Sequence, residues 1–213
     1  DIAERLRAEG ISVIRGAGYF RSAHTVGVHG TDEVINADVV LIATGARPRE
    51  LPSAKPDGER ILTWKQLYEL DALPTHLIVV GSGVTGAEFA SAYHGIGAKV
   101  TLVSSREHVL PGQDSDAAQV IEDVFDRRGI TVLGRSRADR VENTGSGVRV
   151  TLADGSVIDG SHCLMAVGSL PNTEELGLDV VGVATTSSGH IVVDKVSKTN
   201  TYWPGLSLPD RRR

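Results

Sequence analysis

The chain predicts an α/β fold built on a parallel sheet, and three observations carry that prediction. Residues 77–103 read strand, glycine turn, helix, strand: Leu77-Ile78-Val79-Val80, then Gly81-Ser82-Gly83-Val84-Thr85-Gly86, an amphipathic stretch to about His94, and Lys99-Val100-Thr101-Leu102-Val103. Asp114 stands where it can cap a helix over Ser115–Arg128 that stops at Gly129, and Ile130–Leu133 follows as a strand. Two uninterrupted apolar runs, Leu41-Ile42-Ala43-Thr44-Gly45 and Leu164-Met165-Ala166-Val167-Gly168, end in glycine, as strands do where a ligand approaches the carboxyl edge of a parallel sheet.

The remaining elements follow in order. Ile2 and Leu6, at i and i+4, place a short helix before Gly10. Ile11–Ile14 reads as a strand, followed by Tyr19–Arg21, Thr25–His29 and Glu33–Asn36, the last two joined by a turn at Gly30-Thr31-Asp32. Val39–Thr44 reads as a buried strand. Residues 46–60, with Pro48, Pro52 and Pro56 and many charges, read as a connection between two units. Thr63-Trp64-Lys65-Gln66 matches a capping box and opens a helix to Leu70. In the helix from Val84, one face carries Val84, Ala87, Ala90 and Ser91, small enough to sit tightly on a sheet. Val148–Leu152 and Ser156–Ile158 flank an Ala153-Asp154-Gly155 turn as a hairpin. His162–Val167 is a buried strand and Ile191–Asp194 a late one.

Composition narrows the function. With 213 residues, 40% hydrophobic and 23% charged, the chain suits a soluble globular protein. Its net charge of −5 speaks against nucleic acid as a partner, and Arg211-Arg212-Arg213 reads as a disordered tail. No apolar segment approaches the roughly 20 residues of a transmembrane helix. The charged start is no signal peptide, and with Asp at position 1 the chain is expected to begin inside a longer protein. Cys163, the only cysteine, can form neither an internal disulfide nor a dithiol centre; it is expected to be buried and inert, which fits a cytoplasmic setting. The histidines form no H-x-x-x-H pair, so no metal is assigned, and the absence of Tyr-x-x-x-Lys argues against a short-chain dehydrogenase.

The glycine turn carries the chemistry. Gly81 permits a tight turn, Gly83 leaves room for a pyrophosphate, and Gly86 lets the helix approach the strand. Ser82, Val84 and Thr85 complete a cradle whose backbone N–H groups and helix dipole face the phosphates. The competing reading is a glycine-rich turn without a ligand. At the end of the second nucleotide strand, where an acid would select NAD through the adenosine ribose, the chain has Ser104, Ser105 and Arg106. Arg106 either pairs with a 2′-phosphate or is a solvated surface charge. NADPH is therefore expected to be accepted alongside NADH.

Several motifs together resemble one family. Ala43-Thr44-Gly45, Gly81 to Gly86 with Glu88, Val109-Leu110-Pro111, Gly168-Ser169-Leu170-Pro171-Asn172-Thr173 and Gly189-His190-Ile191-Val192-Val193-Asp194 follow the order and spacing of flavin-dependent pyridine nucleotide–disulfide oxidoreductases such as dihydrolipoamide dehydrogenase and glutathione reductase. The runs at Gly81–Phe89 and Ser161–Asn172 resemble the actinobacterial lipoamide-dehydrogenase-like NAD(P)H:quinone reductases. Ser169 departs from the arginine usual in the family.

The resemblance implies a Rossmann-like three-layer NAD(P)H-binding domain (74–172) inserted in a partial FAD-binding domain (1–50), with a connection at 51–73, a return at 173–205 and an aberrant tail at 206–213. It places Gly168 at the nicotinamide ribose or amide and Ala17, Gly18, Thr44 and Gly45 at FAD. Glu88, on the first turn of its helix, either lies near the nicotinamide or is a surface acid. The implied activity is hydride transfer from NAD(P)H to FAD and on to a small-molecule acceptor, a quinone or a disulfide, in relatives that form homodimers. The first FAD turn, any cysteine pair and the dimer domain are missing, and Leu206-Ser207-Leu208-Pro209 replaces the expected Gly-Asp after Pro204-Gly205. A truncated or frameshifted product is expected, and the alternative function is a dinucleotide-binding module without catalysis.

Overall fold

A computed structural model describes residues 1–201. The expectations for Pro204-Gly205, for 206–213 and for the arginine tail lie outside the described residues. The chain divides into two compact units, Asp1–Ala46 with Leu170–Arg213, and Arg47–Ser169.

The first unit begins with α1 (Ile2–Ala8), whose N-cap Asp1 accepts the Ala3 N–H, followed by β1 (Gly18–Ser22), β2 (Thr25–Val28) and β3 (Val34–Asn36). These strands form an antiparallel meander in the order β1-β2-β3. Ile11–Ile14 is not a strand: Ile11 is 50% and Val13 53% exposed. Val39–Thr44 is likewise irregular, with Val39 73% and Leu41 86% exposed. An apolar run becomes a buried strand only when neighbours supply ladder partners and cover its faces. Among the described residues no strand pairs with either run. Ile191–Asp194 is reduced to isolated bridges, Thr185 with Ile191 and Val193 with Thr199.

Through β4 (Ala46–Pro48) the chain enters the second unit: β5 (Ile61–Leu62), α2 (Trp64–Leu67), β6 (His76–Val80), α3 (Val84–Gly95), β7 (Lys99–Val103), α4 (Ser115–Arg128), β8 (Thr131–Leu133), β9 (Ala138–Asn143), β10 (Val148–Leu152), β11 (Val157–Gly160) and β12 (His162–Met165); β13 (Ser169–Pro171) leads out. The expected capping box is present, with the Thr63 side chain accepting from Gln66 N and Gln66 Oε1 accepting from Thr63 N. Its helix stops at Leu67 rather than Leu70. Asp114 caps α4 and Gly129 ends it at φ 87°, a left-handed conformation that favours glycine.

A five-stranded parallel sheet, β5-β12-β6-β7-β8, is the centre of this unit. Its strands alternate. Leu77, Val79, Val100, Leu102 and Leu164 pack with Ala87, Phe89 and Ala90 of α3 and Phe125 of α4. Ile78, Val80, Val103, Cys163 and Met165 pack on the other face with Val141, Val148, Val150 and Leu152 of the antiparallel β9–β11 sheet. Helices, parallel sheet and meander form the three layers of a Rossmann-like α/β fold, with nearly every central strand residue buried, as a doubly covered sheet requires. Cys163 is fully buried and burial pushes its thiol far up, so it is inert. Among the described residues no helix is long and apolar enough to cross a membrane.

Two half-buried histidines sit at the amino ends of β6 and β12. His76 shares a 2.9 Å hydrogen bond with the Thr101 hydroxyl. Burial, with Lys99 adding to it, holds the His76 imidazole below its ordinary pKa; burial and Arg60 do the same for His162, against Asp57. A depressed histidine pKa means that the unfolded chain takes up its proton first as pH falls below about 6.5, so the stability held above that value is lost on acidification until the folded imidazoles also protonate. The urea midpoint is expected to fall between pH 7.5 and 5.5, and the His76→Gln, His162→Gln double variant is expected to flatten that dependence.

Candidate functional site

The sheet order changes direction between β6 and β12: β7 and β8 lie on one side of β6, and β12 and β5 on the other. Ligands of open α/β sheets lie outside the carboxyl ends of strands at such a switch point. The glycine turn follows β6 there, and its three glycines have different physical reasons.

Gly81 has φ 109°, and a Cβ on it would overlap the carbonyl oxygen of Ala166, just past β12. A Cβ on Gly86 would overlap the carbonyl oxygen of Gly81 and lie 3.5 Å from the Ala166 methyl. These two glycines are demanded by the close approach of turn, helix and strand. Gly83 is not: it has the ordinary φ of −67°, and a Cβ there would meet no protein atom within 4 Å. As N-cap of α3 it brings no side chain to the first turn, so the helix's leading N–H groups stay open to an acceptor outside the helix.

Two clasps hold the turn. Ser82 and Ser104 are buried and share a 2.7 Å hydrogen bond between their hydroxyls. The Ser104 hydroxyl also donates to the Arg106 carbonyl at 3.0 Å and accepts the Arg106 N–H at 3.1 Å. Ser104 is thus turned inward and fully buried, and it shapes the loop that presents Ser105 and Arg106 rather than facing a ribose itself. The second clasp starts on α4. Glu122 accepts the Val109 N–H at 2.6 Å and sits 3.2 Å from His108 Nδ1, and the next residue, Leu110, donates to the Ser82 carbonyl at 2.7 Å.

A cavity of about 370 Å³ opens beside the turn. Val80, Gly81 and Val103 line it together with Ser105, Arg106 and Arg137. The structure therefore brings Gly81 and Arg106 to one space, and Gly168, exposed with φ 102°, follows the β12 exit against which Gly81 rests. Val84 and Thr85 are exposed at the start of α3; Val84, at 58% exposure, does not belong to the sheet-facing side, which Gly86, Ala87, Phe89 and Ala90 make. Glu88 is the fifth residue of α3 and exposed, not on the first turn, so the helix-dipole role loses its basis.

In the other unit, Ala17, Gly18, Thr44 and Gly45 are exposed. The carbonyls of Thr44 and Gly45 both accept from Asn172, through Nδ2 and the backbone N–H at 3.0 Å each. Glu122 and Arg137 were not singled out from sequence, and Asn172 was named only as part of the Gly168–Thr173 motif. An acid on an amphipathic helix reads as solvated, and Arg137 stands beside a strand too polar to be expected.

Residues 1–205 match the model of the pyridine nucleotide-disulphide oxidoreductase family. The chain belongs to this family. An NAD(P)H dehydrogenase (quinone) of Mycobacterium tuberculosis is 51% identical over 208 residues, covering 93% of this chain and 42% of that protein. A dihydrolipoyl dehydrogenase of Chlamydia pneumoniae is 34% identical over 196 residues, covering 92% and 42%. The crystal structure of LpdA from Mycobacterium tuberculosis is 51% identical with a TM-score of 0.84, covering 94% of this chain and 46% of that one. The flavoprotein disulfide reductase RclA of Escherichia coli is 29% identical with a TM-score of 0.76, covering 90% and 44%. This pyridine nucleotide-disulphide oxidoreductase chain thus spans under half the length of these relatives.

Two substitutions test the scaffold. Gly86→Ala is expected to cost about 1–3 kcal/mol through overpacking against the Gly81 carbonyl. Glu122→Ala is expected to cost about 1–3 kcal/mol by leaving the buried Val109 N–H unpaired. Urea unfolding of both variants checks these values, and Glu122→Gln, which keeps an acceptor oxygen, should recover part of the loss.

Proposed function

We propose that this chain carries the NAD(P)H-binding domain and part of the FAD-binding domain of a flavin-dependent oxidoreductase that reduces a small-molecule acceptor, a quinone or a disulfide. Gly83 carries the reading. Neither its backbone angles nor any protein neighbour requires glycine there. Its bareness serves whatever approaches the open N–H groups of α3, and a pyrophosphate fits those donors and the helix dipole. The names of the relatives, an NAD(P)H dehydrogenase (quinone) and a dihydrolipoyl dehydrogenase, support the same chemistry.

When bound, nicotinamide supplies a hydride and flavin accepts it. This chain's residues bind and orient. Gly81 and Gly86 let the turn close on β12, the Ser82–Ser104 and Glu122–Leu110 clasps hold it in place, and Gly168 leaves the β12 exit without a side chain. Ala17, Gly18, Thr44 and Gly45 would offer backbone to FAD, with Asn172 setting the last two carbonyls. A second reading, a dinucleotide-binding module without turnover, is favoured by the exposed Val39 and Leu41, which leave the run before Thr44 outside any sheet. Flavin absorbance in the purified chain separates the two.

Gly83→Ala is expected to fold with stability within about 1 kcal/mol of the parent, because the added methyl meets no protein. It should weaken NADH and NADPH by about tenfold or more in calorimetric titration, since the methyl blocks close approach to the backbone. Unchanged affinity in the variant would defeat the pyrophosphate assignment.

A further inference from the structure

We propose that Leu110 and Glu122 are positioning residues for coenzyme binding: the segment they anchor sets the Ser82–Gly83 peptide so that the Gly83 N–H, and not the Ser82 carbonyl, faces an incoming pyrophosphate. The proposal rests on the dinucleotide reading of the glycine turn.

One peptide bond carries the argument. Its carbonyl, on Ser82, accepts the Leu110 N–H at 2.7 Å. The C=O and N–H of a trans peptide point in opposite directions. The Gly83 N–H therefore points away from Leu110. Among the described residues it takes no hydrogen bond. With its carbonyl held, the peptide stays turned with the donor outward. Released, it can rotate and present an acceptor where an anion needs a donor.

Leu110 has a left-handed backbone, at φ 55°. A side chain disfavours that conformation, which persists only where the surroundings over-determine it. Here they do. The Leu110 carbonyl accepts from the Gln113 N–H at 3.1 Å, and its side chain packs on the helical core. Val109, the residue before, is fully buried in that core. Its N–H donates to Glu122 Oε1 at 2.6 Å, while Oε2 lies 3.2 Å from His108 Nδ1. Three consecutive residues are thereby tied to α4 and the core, and the Leu110 N–H is held where it meets Ser82. The Ser82 hydroxyl is fixed separately, 2.7 Å from that of Ser104, so the carbonyl is aimed as well as tethered.

Calorimetric titration with NADH tests this, on variants shown by circular dichroism to be folded. Glu122→Ala and Leu110→Ala are each expected to weaken binding by about fivefold or more, chiefly through entropy, because a loosened turn must be ordered on binding. Glu122→Gln keeps an acceptor for Val109 and should recover most of the affinity. Leu110→Gly should bind more tightly than Leu110→Ala, since glycine takes the left-handed angle freely and keeps the N–H. A role in core packing alone would make the glycine variant the weaker of the two. Val150→Ala, which trims the core on the other face of the sheet, should lose stability and keep the parent affinity. Parent affinity in Glu122→Ala, or weaker binding by Leu110→Gly than by Leu110→Ala, would overturn the positioning proposal and leave the turn assignment standing. No binding of NADH by the parent chain would defeat the turn assignment and this proposal with it.

Discussion

Backbone touching backbone is the constraint on which the second unit depends. At the switch point of the sheet, the Gly81 Cα faces the Ala166 carbonyl, and the Gly86 Cα faces the Gly81 carbonyl. A single methyl at either place would push the helix from the strand or the turn from β12. Because the approach is so close, α3 begins directly above the carboxyl edge of the sheet. The N-cap Gly83 adds no side-chain hydrogen bond to its first turn, and Gly81, at the foot of the turn, lines the cavity with Val80 and Val103. Of the three glycines, Gly83 is the one that packing within the protein does not require.

The sheet holds this arrangement by being covered twice. Alternate residues of β6, β7 and β12 enter a helical core and a meander core, and most of them are fully buried. Strands committed on both faces cannot slip register without exposing one apolar set and crowding the other. The loops at their ends inherit that rigidity, reinforced by polar clasps of short reach: a serine pair under the turn, and a glutamate on α4 that reaches the loop touching it.

Local signals made the dinucleotide unit legible. Asp114 and Gly129 bracket α4 as expected because an N-cap acceptor and a left-handed glycine act within one helical turn. The Thr63–Gln66 box acts over three residues for the same reason. Lys99–Val103 was readable as β7 from its apolar run, whereas β9 was not. In Ala138–Asn143 only Val141 is buried, so hydrophobicity offered no trace of a strand that exists through its ladder to β10. The two-residue β5 likewise owes its existence to Cys163 and Leu164 of β12. The failures ran the other way at Ile11–Ile14, Val39–Thr44 and Ile191–Asp194, where suitable residues lack a ladder.

By itself the sequence determined the family, the Rossmann-like unit and the turn, since glycine spacing, caps and buried-strand runs are short-range and chemically specific. Tertiary structure decided where the candidate side chains lie. It turned Ser104 inward, moved Glu88 off the first helical turn, and placed Arg137 on the same cavity as Arg106. Such choices depend on which strand ends meet and which way each side chain points once the sheet is closed, and linear spacing carries neither.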